Sequence, residues 1–232
     1  MNSAHGGPYA VVLQDLQHIF GGRLHAFVAY GDPNASPATS LALVQSIGAD
    51  DLGACAAHAA AWHRSGCATP LLLTREEFAG SLDAFPLEYG EILDTHRTVY
   101  GDDPFRGLII RDEDVRRACE VQVKSLLLHL REDFIESRAR PGDVAALVAD
   151  SAPAFAQLLR RLARLDDVAC ATNQELCTFA GGRPKLDPRV VGDVLALAKN
   201  PSAAGVDPAR LFPQYLAAVE ALWKFVDRWR HA

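Results

Sequence analysis

The chain has 232 residues, of which 49% are apolar and 22% charged, and its formal net charge is −6. This composition can fill a real hydrophobic core, as one large domain or two smaller ones, and is not typical of a disordered protein. The longest apolar runs are far shorter than the roughly 20 residues that cross a bilayer, so we expect no membrane partner. With no export signal at the N-terminus and five scattered cysteines, we expect a cytoplasmic protein with reduced thiols.

The charge is unevenly distributed along the chain. Residues 1–110 hold five Arg and no Lys against twelve acidic residues, whereas residues 111–232 hold eighteen basic and seventeen acidic residues. The acidic first half argues against nucleic-acid binding, which needs clustered cations. The change in composition predicts a domain boundary near residue 110, with domains at 1–110 and 111–232.

The first half alternates helical and extended patterns. We predict a helix at 11–20, strands at 24–30 and 41–44, a helix at 50–64, a strand at 70–74 and a short helix that begins at the capping box of Thr74. Residues 85–100 alternate less regularly, and their apolar residues favour a fourth strand that bends at Gly90. These elements predict a mixed β-sheet with flanking helices.

The second half carries helical patterns only. We predict helices at 112–138, from Ser151 to Leu165, at 167–179, and after the Asp-Pro pairs at 187–188 and 207–208, with Pro141-Gly142 as a break. In the last helix the predicted buried residues are Tyr215, Val219, Leu222, Val226 and Trp229. Short loops between helices predict an antiparallel bundle, so the expected class is α+β.

Four residues have a spacing that invites a zinc site, namely Cys55, His58, His63 and Cys67. On a helix, at about 100° per residue, His58 and His63 point about 140° apart, so one ion could not bind both. The alternative is packed thiols on an alanine-rich helix face, which we favour, and we expect no metal site.

The order of elements resembles the nucleotidyltransferase superfamily, in particular small bacterial proteins related to aminoglycoside nucleotidyltransferases. The resemblance rests on helix, strand, Tyr30-Gly31, loop, strand, helix and strand, followed by a helical bundle. The stretches FPLEYGEILDTHRTVYGDDPF (85–105) and CEVQVKSLLLHLRE (119–132) also look like segments common in uncharacterised members of that group. The resemblance implies a nucleotidyltransferase-like domain followed by a helical domain.

Such enzymes carry Gly-Ser after the first strand and Asp-x-Asp, or Glu, on the second. Alternate residues of a strand share a face, so two acids one residue apart can hold metal ions that bind the triphosphate. Here Gly31 fits the glycine, but Asp32 stands where serine is expected. The acid pair would fall at Thr39-Ser40-Leu41 or one residue later, and neither register supplies a carboxylate.

Other residues could rebuild the site. The resemblance makes Asp32, Glu88 and Glu91 candidate catalytic acids, with Glu88 and Asp94 on one face of the predicted fourth strand. Gly31, Asp32 and Thr39 are candidate nucleotide-binding residues. The bundle helix adds Arg117 and Lys124, which with Arg131 form a stripe at seven-residue spacing; the alternative, which we favour, is an ion-paired surface.

Three hypotheses remain open. The first is a pseudoenzyme that lacks transfer activity and binds a nucleotide or a protein partner in a cleft between the domains, without a cofactor. The second is an active nucleotidyltransferase that uses Mg²⁺ and a nucleoside triphosphate to modify a hydroxyl of a small molecule or protein. The third is a structural protein whose helical half forms a homodimer.

Overall fold

The structure is a computed structural model, and it describes residues 8–199 and 206–229. The chain combines a small mixed sheet with many helices, so the predicted α+β class is confirmed. It divides between Ile110 and Arg111 into two compact units.

The first unit holds the sheet. Its elements are, in chain order, α1 (Tyr9–Phe20), a 3₁₀ turn (Gly21–Arg23), β1 (Leu24–Tyr30), β2 (Thr39–Val44), α2 (Ala49–Arg64), β3 (Leu71–Thr74), α3 (Arg75–Gly80), α4 (Pro86–Thr95) and β4 (Arg97–Tyr100). The strand order is β3-β2-β1-β4. β1 pairs antiparallel with β2 and β4, and β2 pairs parallel with β3.

Alternation along the central strands creates two buried faces. Phe27 of β1 belongs to a core cluster with Leu16 of α1 and Trp62 of α2 on one side of the sheet. Val28 and Leu41 belong to a second cluster with residues of α3 and α4 on the other side. Successive strand residues point to opposite faces, so a strand buried on both sides is almost continuously apolar, as LHAFVAY is.

The predicted strand over residues 85–100 is wrong in its first part. Residues 86–95 form α4, and only Arg97–Tyr100 add a strand to the sheet. Pro86 stands at the start of α4, where its missing N–H is tolerated, and Tyr89 and Ile92 follow at helical spacing to face the core. The turn at Gly101, with φ of 78°, then ends β4.

The second unit contains helices and no strand among its described residues. It contains α5 (Asp112–Glu136), α6 (Pro141–Leu165), α7 (Asn173–Gly182), α8 (Pro188–Lys199) and α9 (Pro208–Arg228). α6 packs against α5, α7, α8 and α9 and so forms the centre of the unit. The residues predicted to be buried at the end of the chain, from Tyr215 to Trp229, are buried.

Two helices of the second unit start several residues away from their predicted starts. α6 begins at Pro141, ten residues before Ser151, and Pro153 lies inside it on the exposed side. A proline is costly inside a helix, but buried apolar residues at 3–4 spacing, including Val144, Val148 and Phe155, continue through this position and hold the helix together. α7 begins after Thr172, whose hydroxyl and Glu175 form a capping box.

None of the helices in the described part of the chain is long and apolar enough to span a bilayer.

Candidate functional site

Four of the residues that the resemblance makes candidates, Gly31, Asp32, Thr39 and Glu91, lie close to the point where β1 ends and β2 begins. We call this region the β1–β2 rim. It consists of Tyr30, Gly31, Asp32, Thr39, Glu91 and Thr95. The two strands pair up to the rim itself, since Tyr30 lies opposite Thr39.

Gly31 is required by the turn it makes. Its φ is 80°, a conformation that favours glycine, and a Cβ atom there would lie 3.2 Å from Thr39 Oγ1. The Gly31 N–H donates to Thr95 Oγ1 at 2.8 Å, and that hydroxyl donates to the Glu91 carbonyl oxygen at 2.6 Å. The glycine therefore makes room for the Thr39 hydroxyl of the same protein. This accounts for a glycine at position 31 without a bound phosphate.

Three backbone N–H groups of the loop after Gly31 donate to acceptors within the protein. Asp32 Oδ1 accepts from the Asn34 N–H at 2.8 Å, and the Asp32 carbonyl accepts from the Ala35 N–H at 3.0 Å. The Ala38 N–H donates to the Gly66 carbonyl at 2.8 Å. Two of the remaining loop residues are prolines and have no N–H. A phosphate-binding loop instead points its N–H groups at the ligand.

The resemblance places the acid pair of nucleotidyltransferases at Thr39 and Leu41 in one register and at Ser40 and Ala42, which are both buried, in the other. Thr39 is half-buried, and its hydroxyl donates to the Tyr30 carbonyl at 2.6 Å. Leu41 is fully buried, in one cluster with Phe78, Tyr89 and Phe105. The Phe78 ring stacks on the other two at centroid distances of 4.5 and 4.6 Å. In the first register, the second acid position therefore lies in the hydrophobic core.

The candidate acids Glu88 and Glu91 lie on α4 and not on a strand. Glu88 is exposed and Glu91 is half-buried. Burial raises the pKa of the Tyr30 hydroxyl, and the charge of Glu91 raises it further, so Glu91 acts electrostatically on the rim. The predicted common face of Glu88 and Asp94 is wrong, because six residues along a helix place them about 120° apart.

The candidate binding cations Arg117 and Lys124 belong to the second unit, where each has an intramolecular partner. Lys124 Nζ lies 3.6 Å from the centroid of the Trp223 ring. Arg117 pairs with Asp114, a buried carboxylate whose pKa is lowered chiefly by its hydrogen bond from Arg111 and also by Arg117. The third cation of this row, Arg131, donates a hydrogen bond to Glu220.

Thr95 is the rim residue that the sequence analysis did not identify. Thr95 connects α4 to β1, and the signal for it was present, since Glu91 and Thr95 are four residues apart and so adjacent on a helix. On a strand, residues four apart do not contact each other, so the predicted strand over residues 85–100 gave no reason to expect the hydrogen bond between Thr95 and Glu91.

The residues of the zinc hypothesis do not converge. His58 Nδ1 lies 3.0 Å from Asp15 Oδ2, and His63 Nε2 lies 3.1 Å from Thr69 Oγ1. Cys67 Sγ donates to the Pro8 carbonyl at 3.1 Å, and burial raises the pKa of its thiol. Over residues 8–199 and 206–229, no group of three or more His, Cys, Asp or Glu is placed to hold a metal ion.

Comparisons with protein-family models and with curated proteins find no match for this chain. Its functional interpretation therefore rests on the chemistry of the rim.

Proposed function

We propose that this chain is a nucleotidyltransferase-like protein that has lost nucleotidyl transfer and that works by binding a nucleotide or a protein partner. Transfer in such a scaffold needs two or three carboxylates that converge on divalent cations carrying a triphosphate. At the rim the strand positions for those carboxylates hold a hydroxyl and a buried leucine.

The observation that carries the proposal is the burial of Leu41. Leu41 has 0% exposure and belongs to one cluster with three stacked aromatic residues of α3, α4 and the segment after β4. A metal ion at this position would need water and anionic oxygens where the core provides neither. Restoring the acid would require removal of the aromatic cluster as well as one substitution.

The loop supports the same conclusion from its backbone. Three of its N–H groups and that of Gly31 already donate to protein acceptors. A triphosphate would have to break these hydrogen bonds to gain its own, so the exchange would yield little net affinity.

An active Mg²⁺-dependent nucleotidyltransferase is the second candidate, and one observation favours it. The hydrogen bonds from Gly31 through Thr95 to the Glu91 backbone hold α4 against the end of β1. In this alternative Asp32 with Glu91 or Glu88 would bind the metal ion, and the product would be a nucleotidylated hydroxyl.

Calorimetric titration of nucleotides with and without magnesium distinguishes the inactive protein from the active nucleotidyltransferase. We expect any affinity for ATP, GTP, CTP or UTP to be the same in Mg²⁺ and in EDTA, because the rim lacks the acid pair that would couple metal to nucleotide. Asp32→Asn is expected to leave binding unchanged, as is the control Asp83→Asn at an exposed acid outside the rim. A tenfold gain in affinity with Mg²⁺ that Asp32→Asn alone abolishes would establish the active alternative.

A further inference from the structure

Helix α5 carries apolar residues on its outer side as well as its inner side. Val121, Leu128 and Ile135 are 69%, 52% and 72% exposed. They follow one another at seven-residue spacing and extend over about 21 Å of the helix. We call these three residues the α5 stripe.

The α5 stripe is separate from the face that holds the bundle together. The inner face buries residues such as Val123, Leu127 and Leu130, and α5 packs there against α6 and α9. A helix inside a single unit needs only one apolar face. A row with a seven-residue period corresponds to one of the two apolar positions in each heptad of a coiled coil, and such a row can pack along one other helix.

The two edges of the α5 stripe differ in charge. At about 100° per residue, Arg117, Lys124 and Arg131 lie on one edge of the row. Ser125 and Glu132 lie on the other edge, and the Glu132 side chain is 71% exposed. One edge is therefore basic and the other is polar to acidic.

We propose that the α5 stripe binds the same stripe of a second copy of this chain, with the two α5 helices parallel about a two-fold axis. In this arrangement the basic edge of one helix faces the acidic edge of the other, and Arg131 lies level with Glu132 of the second copy. Antiparallel packing would instead set Arg131 against Lys124, two like charges.

Arg131 can donate hydrogen bonds to Glu220 of its own chain and to Glu132 of the second copy at the same time. Its side chain is 46% exposed while it bonds Glu220 at 2.5 Å, and a guanidinium group carries five N–H donors. Exposed ion pairs contribute little energy, so the charges select the orientation and the apolar row supplies the attraction.

The dimer is expected to be weak. Three side chains per copy are fewer than the 20–30 residues per side of a standard interface, which places this contact among transient interactions. The fraction of dimer should therefore rise with concentration over the micromolar range.

Analytical ultracentrifugation between about 5 and 500 µM tests the surface. We expect the full chain to shift from monomer to dimer, and Leu128→Glu to weaken association at least about tenfold, because it places two charges at the centre of an apolar contact. Gln122→Glu adds the same charge at an exposed position of α5 off the stripe and should leave association unchanged. A monomer at every concentration, or a dimer that Leu128→Glu does not affect, would overturn the proposal.

Cross-linking tests the orientation. In a Cys170→Ser background, which removes a partly exposed native thiol, Val121→Cys should form a disulfide-linked dimer on oxidation because parallel packing places position 121 against itself. Gln122→Cys is the control and should not. Cross-linking only in a mixture of Val121→Cys and Ile135→Cys chains would show antiparallel packing and contradict the proposed arrangement.

Discussion

At the scale of single residues, Leu41 decides the interpretation of the rim. Its identity alone shows that strand β2 lacks a carboxylate at this position, and this could be predicted from the sequence. Its burial could not, because the rings that cover it, Phe78, Tyr89 and Phe105, come from three separate segments. Only the folded chain shows that this position lies in the core.

The stability of variants at position 41 tests whether Leu41 is part of the hydrophobic core. We expect Leu41→Asp to lower the free energy of unfolding by about 4 kcal/mol or more, since it buries a charge among apolar side chains. Leu41→Met keeps the volume and should lose less than about 1.5 kcal/mol. The comparison is made by urea unfolding followed by circular dichroism.

Thr39→Asp is the matched control. Thr39 is two residues away on the same strand face but half-buried at the rim, so we expect Thr39→Asp to be much less destabilising than Leu41→Asp. Equal tolerance of aspartate at positions 39 and 41 would mean that Leu41 faces an open site.

At the scale of elements, the strong periodic segments were predicted well and the weak ones were not. β1 has the predicted bounds, and α2 starts one residue earlier than predicted. α4 was mistaken for a strand because its ten residues carry only two helical turns of apolar pattern, and Gly90 weakens it further. The start of α6 was missed because tertiary packing outweighs the proline at position 153.

The start of α2 is fixed to the start of β1 by an ion pair with a defined pH dependence. Asp51 accepts two hydrogen bonds from Arg23, at 2.7 and 2.9 Å, and one from the Gly48 N–H at 2.9 Å. The hydrogen bonds from Arg23, followed by that from Gly48, lower the pKa of Asp51 from 3.8 to about 2. Because the folded state favours the charged form, its contribution is present above pH 3.8 and is lost as the pH falls toward 2.

Asp51→Asn should therefore be less stable than the native chain near neutral pH, with a difference that narrows below pH 4. Thermal unfolding at a series of pH values measures this. Asp50→Asn changes the exposed neighbouring acid and should give a smaller difference. A gap between Asp51→Asn and the native chain that stays constant down to pH 2.5 would show that the ion pair does not stabilise the fold.

At the scale of the whole molecule, composition and element order indicate the α+β class. The net charge is strongly negative over residues 1–110 and close to zero over residues 111–232, and the structure divides into its two units at the same place. The sequence could not predict which polar residues pair. Arg117, Lys124 and Arg131 look alike as a row of cations, yet their partners are a buried acid, an indole ring and a glutamate of α9. Partners distant in sequence become visible only after folding.

The most direct test of the account is release of pyrophosphate. The chain is incubated with each of the four nucleoside triphosphates, with Mg²⁺ or Mn²⁺, and with a small-molecule extract of the expressing cells as a source of acceptors. We expect release at the level of a heat-inactivated control, and the same level for Asp32→Asn combined with Glu91→Gln, because the proposed pseudoenzyme has Thr39 and Leu41 where transfer requires carboxylates to bind metal ions. Metal-dependent release above that control, lost in the double variant, would contradict the account.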